Sequence, residues 1–296
     1  MKIGAGTPLW VAARALLSLR QKEFFRCWQQ VQRGFEAEPI HDLRVASRRL
    51  REGLALFAPC YPAKALVHIT RRVKGLSRLL GDVRNADEAL LYFSCLAERQ
   101  DGPTAAALAS LVAGLRKERE RGASHLKSAL ESLSLRVLSF YFKKTLENPC
   151  LFALSPDSAD PFCTIGSFAR QTAGERLSLV LVLVPQASDE ADIAAQHQLR
   201  IAIKHFRYRL EILSFLATGG YREIVADLKR YQELLGRMHD RDVFAGLVRK
   251  AGFPPSAERS VLALIARERQ ELYDEFLVLL KDTPLEGIGE RVRSLL

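Results

Sequence analysis

"HDLRVASRRLREGL", residues 41–54, returns 156 positions later as "HQLRIAIKHFRYRL", residues 197–210. His41 falls on His197, Arg44 on Arg200, Val45 on Ile201, Arg48 on Lys204 and Arg51 on Arg207. A second pair follows in the same order at an offset of 155: "KGLSRLLGDVRNAD" (74–87) and "KRYQELLGRMHDRD" (229–242). Two motif pairs at nearly one spacing describe a tandem duplication of a unit of roughly 150 residues, too long for a solenoid repeat. Most of the chain carries apolar residues at i, i+3, i+4 and i+7, the period of a helix. Each unit then has room for about four helices, and the expected fold is all-α, two four-helix-bundle-like repeats in tandem.

Drawn as a helix, the first copy sorts its residues by chemistry. Measured from His41, Arg44, Arg48 and Arg51 fall within a sector of roughly 80°. Leu43, Ala46, Leu50, Leu54 and Phe57 take the neighbouring sector and are expected in the core. The second copy repeats the plan, with His197, Arg200, Lys204 and Arg207 beside Leu199, Ala202, Phe206, Leu210 and Leu213. Each helix thus joins an apolar face to a cationic ridge about 15 Å long. In "HITRRVKGLSRLLG" a further one-sided row appears, Arg71, Lys74 and Arg78, with Arg72 beside it and Lys229 as the later counterpart of Lys74.

An empty ridge of this kind is costly. Two cations about 6 Å apart repel by roughly 3 kcal/mol at an effective dielectric near 20, and by much less in open water. Few carboxylates are interleaved to relieve it. Residues 41–84 are net +7 and residues 197–241 net +4, so the rest of a chain of formal charge +10 is net −1. One explanation is an internal salt-bridge network in which Arg44 and Arg200 reach Asp87 and Asp242. Too few acids stand nearby to neutralise the surplus, so the better explanation is a docking surface for a linear polyanion. Guanidinium forks bind phosphate oxygens bidentately and ammonium groups add point charge.

The remaining composition narrows the class. With 296 residues, 48% of them hydrophobic, the chain can build a sizeable core and is not of disordered type. Its five cysteines (Cys27, Cys60, Cys95, Cys150 and Cys163) include no CxxC pair, which fits a reducing, cytoplasmic setting better than a disulfide framework or a zinc site. "PLWVAARALLSL" faintly suggests a signal peptide, but Arg14 interrupts it and no small-x-small cleavage site follows, so none is expected. "LVLVLV" (179–184) is the longest unbroken apolar run, far too short to cross a bilayer, and is expected to be a fully buried helix. Breaker clusters "APCYPA" (58–63), "QDGPT" (100–104), "AGFPPS" (251–256) and "KDTPLEG" (281–287) mark helix ends. The richest, "ENPCLFALSPDSADPF" (147–162), divides the chain into repeats over 5–147 and 163–292 joined by a linker over 148–162.

The pattern HxxRVxxRRLR followed by LGxxR-[DN]-x-D resembles the CHAD family, the conserved histidine α-helical domain. HxxRIxxKxxRYxxE, ending in Tyr208 and Glu211, resembles that family's C-terminal copy. The resemblance covers roughly residues 5–292. It implies two helical bundles related by pseudo-twofold symmetry, whose basic helices line a central groove or channel that binds inorganic polyphosphate. Position by position it points to His41, Arg44, Arg48, Arg49 and Arg51, then His197, Arg200, Lys204 and Arg207. Lys74, Arg78 and Lys229 stand beside them. Departures are Asn85 where the first LG motif usually has Asp, His239 in the second, and His205 in place of the second arginine of the RR pair. Relatives often carry a CYTH domain marked ExExK. "EAEPI" (36–40) lacks the lysine, so a stand-alone member is expected, without enzymatic activity or cofactor, located in the cytoplasm and associated with polyphosphate granules or polyphosphate-metabolising enzymes.

Two other readings compete. Nucleic acid offers the same phosphate charge, but single strands need stacking aromatics and only Tyr208 stands in the ridges. His41-Asp42 and His239-Asp240 suggest a metal-dependent phosphohydrolase of HD type, although arginines crowd both dipeptides and disfavour a second cation. There is no P-loop, GxGxxG, GxSxG or HExxH.

Overall fold

The apolar residues expected on the two repeated helices do go inside. Leu43, Ala46, Leu50, Leu54 and Phe57 are buried, as are Leu199, Phe206, Leu210 and Leu213, while Ala202 is half-buried. The computed structural model describes residues 3–152 and 160–296, and the centre of the expected 148–162 linker lies outside the described residues. The first half contains α1 (Leu9–Arg33), α2 (Ala37–Leu56), α3 (Ala63–Ala97), α4 (Gly102–Ser132) and α5 (Leu135–Glu147). The second contains α6 (Ile165–Ala187), α7 (Ile193–Leu213), α8 (Tyr221–Lys250), α9 (Pro255–Asp282) and α10 (Leu285–Leu295). Each half therefore holds the four expected helices plus a short fifth of 13 or 11 residues.

The breaker clusters sit where the chain turns. "APCYPA" ends α2 and starts α3, "QDGPT" joins α3 to α4, "AGFPPS" joins α8 to α9, and "KDTPLEG" joins α9 to α10. Gly102 and Gly252 take φ of 58° and 68° at two of these junctions, a backbone state that side chains disfavour. The turn between α4 and α5 has neither Gly nor Pro. There Ser134 caps α5 by accepting a hydrogen bond from the Val137 amide.

"LVLVLV" is helical, within α6, but it is not fully buried. Val180 is inside, whereas Leu179 is 52% and Val182 69% exposed. The neighbours of α6 are α7, α10 and α1, and they leave its remaining stripe facing solvent.

Packing within the halves matches element by element. Helix α1 packs on α2 and α5, α2 on α3, and α3 on α4 and α5; the second half repeats each contact with α6 to α10. Between the halves the main contacts pair equivalent helices: α2 with α7, α4 with α9 and α1 with α6. One core lies mostly in the first half, a second lies in the second half, and a third joins the far ends of α3 and α4 to those of α8 and α9. In that third core Phe93, Leu108, Phe244 and Val261 are buried, and the rings of Tyr92 and Phe244 stack at 4.6 Å. The halves thus meet at the α2–α7 crossing and again at the tips, with a polar layer between.

Candidate functional site

At the α2–α7 crossing a buried carboxylate ties the halves together. Glu52 accepts from Arg209 Nε at 2.8 Å, and its second oxygen lies 2.5 Å from His205 Nδ1. Arg209 also donates to Thr172 Oγ1 on α6 at 2.7 Å. Burial would raise the Glu52 pKa, but hydrogen bonds from His205 and Arg209 overcome it and hold the group below its ordinary value. An ionised Glu52 can only accept, so the proton of that short contact sits on His205 Nδ1. Helix α3 is fixed to α2 nearby by Ser77 Oγ donating to Ser47 Oγ at 2.9 Å, both residues buried.

Beside this junction α2, α3 and α7 enclose an open trough of about 750 Å³. Six cations line it: Arg48, Arg51, Arg71, Lys74 and Arg78 from the first half and Lys204 from the second. His205 and Tyr208 complete the second half's share, and Glu52 is the single carboxylate in the wall. Among the described residues none of the six cations has a carboxylate oxygen within salt-bridge distance. Their mutual repulsion is visible in the proton affinities. The Lys204 ammonium is pushed down to about 8, by burial first and then by Arg48, Arg200 and Arg51. Arg51 is lowered by burial and by Arg48.

Deeper in the polar layer lie Arg44 and Arg200, the equivalent first arginines of the two copies. Each has a buried Nε with no hydrogen-bond partner. Arg44 is pushed down to about 10 by burial and Arg48, and Arg200 is lowered by burial although Asp240 works against it. The internal-network explanation fails at these two positions. Asp87 instead accepts from Arg119 at 3.0 Å and Asp242 from Arg269 at 2.6 Å, so helices α4 and α9 supply the partners. Asp240 is raised to about 6 by burial and by Glu88, which marks an acidic end to the layer.

Other expected residues are placed differently. Arg49 is engaged by Glu23 and Glu211, both at 3.2 Å, and Arg207 by Glu211 and by Gln232 at 3.0 Å. Lys229 is exposed and pairs with Glu233 at 3.3 Å, away from the trough. His41 is exposed in the second turn of α2 and lines no part of the trough. His197 lies in the polar layer with its ring 4.3 Å from that of His239. Burial lowers both, His239 to about 4, with His197 and Arg200 adding to the effect on His239. Among the described residues no group of three or more His, Cys, Asp or Glu is placed to hold a metal ion. No described helix is long and apolar enough to cross a membrane.

Sequence reasoning passed over His205 and Glu52 as site residues. The signal for Glu52 was available: it is the one acid in residues 43–56 of α2, a stretch with four arginines. Tyr208, the one aromatic ring considered for stacking, is buried, and the Arg207 guanidinium lies over its ring at 4.5 Å.

Comparison with known proteins bears on the whole chain. The CHAD domain family model matches residues 15–249. The crystal structure of the CHAD domain from the plant Ricinus communis superposes with a TM-score of 0.66 at 25% identity, over 100% of this chain and 95% of that one. PptA from Streptomyces chartreusis has the same fold, with a TM-score of 0.71 at 18% identity, over 93% of this chain and 99% of its own. No curated protein matches the chain.

Proposed function

The chain belongs to the CHAD domain family, and from that premise we propose that it binds inorganic polyphosphate, without turning it over, in the trough between α2, α3 and α7. The observation that carries this reading is the set of six cations, drawn from both halves and held without carboxylate partners. A chain of phosphates supplies what the trough lacks, a row of negative oxygens spaced along a line. Arg48, Arg51, Arg71 and Arg78 would grip it with paired N–H groups, and Lys204 and Lys74 would add charge. His205, its Nδ1 proton held by Glu52, is fixed in the trough wall beside them. Arg44 and Arg200 supply a buried positive field behind the trough rather than direct contacts. Binding relieves repulsion that the empty fold carries, so polyphosphate should stabilise the protein.

Nucleic acid is disfavoured because the trough holds no Phe or Trp, and its one tyrosine, Tyr208, is buried and already covered by Arg207. A calorimetric titration with long-chain polyphosphate, repeated with single-stranded and duplex DNA as competitors, tests the reading. Polyphosphate is expected to bind and to resist displacement by DNA at equal phosphate concentration. Displacement by DNA would transfer the site to nucleic acid.

A further inference from the structure

The duplication should have produced two equivalent troughs, one on each side of the α2–α7 crossing. The residues at corresponding positions tell another story. Where the first face has Ala55 the second has Glu211, and where the first has Arg78 the second has Glu233. Arg71 corresponds to Ala226. On the second face the cations matching Arg51, His205 and Lys74, which are Arg207, Arg49 and Lys229, are all engaged, while Arg48 and Lys204 match each other and stand between the two faces. Arg207 and Arg49 share Glu211, Arg49 also meets Glu23 from α1, Lys229 meets Glu233, and Arg230 lies 3.9 Å from Asp227. Glu211 and Arg207 are each only 12% exposed, so this is a packed ion cluster rather than a solvated rim.

We infer that the protein is a one-sided polyanion receptor: Glu211, with Glu23 and Glu233, has converted the second copy of the trough into an internal ion-pair clamp, leaving only the first face to take polyphosphate. The inference rests on the polyphosphate reading and adds to it a direction and a stoichiometry. A phosphate chain approaching the second face meets carboxylates already holding the guanidiniums, and displacing Glu211 would strand a mostly buried charge. On the first face no such exchange is needed. The clamp also fastens α1, α2 and α7, so the surface that gave up binding now braces the junction on which the other trough is built.

The test compares exposed residues whose loss leaves the core intact. In a titration with short-chain polyphosphate the unaltered protein is expected to take one chain per molecule. Arg71→Ala with Arg78→Ala should weaken binding by at least about tenfold, while Lys229→Ala with Arg230→Ala should change it by less than about twofold. A third variant, Glu233→Ala, removes one exposed carboxylate of the second face and should leave the stoichiometry at one, because Glu211 still closes the clamp. Equal weakening by the two double variants, or two chains per molecule in the unaltered protein, would overturn the one-sided path while leaving polyphosphate binding in place. Failure of the unaltered protein to bind polyphosphate would instead remove the reading beneath it.

Discussion

Replacing Lys204 by Met should make the unliganded protein more stable and its liganded form weaker. The side chain is largely buried and surrounded by Arg48, Arg200 and Arg51, and its ammonium is pushed from 10.5 to about 8. At about 1.4 kcal/mol for each tenfold loss of proton affinity, that change bounds the cost of the charge at roughly 3 kcal/mol. Solvent in the open trough screens part of it, so a gain of about 1–2 kcal/mol is the realistic figure. Met keeps the length and the apolar stem while removing the charge. For a chain of this size the gain corresponds to a rise of about 2–4 °C in Tm. Thermal unfolding followed by circular dichroism at pH 7 and low salt measures it. The pH dependence supplies a second check. Below about pH 8 Lys204 is charged in both folded and unfolded chains, and its cost is fully present. Between about 8 and 10.5 the folded chain has released a proton that the unfolded chain still holds, so the unaltered protein gains stability as pH rises and the advantage of the variant fades. With saturating polyphosphate the order should reverse, because the unaltered protein then has the anion to pair with. A lower Tm for the unliganded variant would refute the reasoning, by showing that Lys204 is a needed structural donor.

Salt should act on binding in proportion to the charges engaged. If all six trough cations are neutralised, a slope near −0.7 per charge gives about −4 for log K against log salt concentration. A slope close to zero, read from titrations at several ionic strengths, would count against the trough. Glu52→Ala leaves Arg209 buried with Thr172 as its remaining partner and should cost about 3–5 kcal/mol in urea denaturation. Gly289→Ala places a Cβ 2.5 Å from Leu177 Cδ2, a buried side chain between α6 and α10, and should cost about 1–3 kcal/mol by the same assay.

Much of this was legible before any coordinates, because the decisive signals are local. The period of Leu43, Leu50, Leu54 and Phe57 fixes which face of α2 is buried, and a second copy with the same period fixes the corresponding face of α7. The surplus of charge on these helices was countable, and clusters of proline and glycine marked four of the turns between helices. What was not legible depends on packing between distant segments. Arg49 reads as a member of the ridge, yet it turns to Glu211, 162 residues away, and to Glu23 on α1. Nothing along α2 could show which arginines would find such partners. Arg207 is a different case, since Glu211 stands four residues on in "RYRLE" and the helical i, i+4 pairing was there to be read. "LVLVLV" misled for another reason: a continuous apolar run does not say how many neighbours the fold will lay against it, and α6 is left with one stripe in solvent. The third core, where the tips of α3 and α4 meet those of α8 and α9, follows from like packing on like rather than from any motif.

The central claim is that cations from both halves serve one trough, and the most direct measurement takes one from each. Polyphosphate is titrated into the unaltered protein, into Arg51→Gln and into Lys204→Met, with helicity checked in every case. Each substitution, although the two lie in different repeats, is expected to weaken binding by about tenfold at unchanged stoichiometry. Affinity that survives both substitutions intact, or that responds only to the one in the first half, would contradict a shared site.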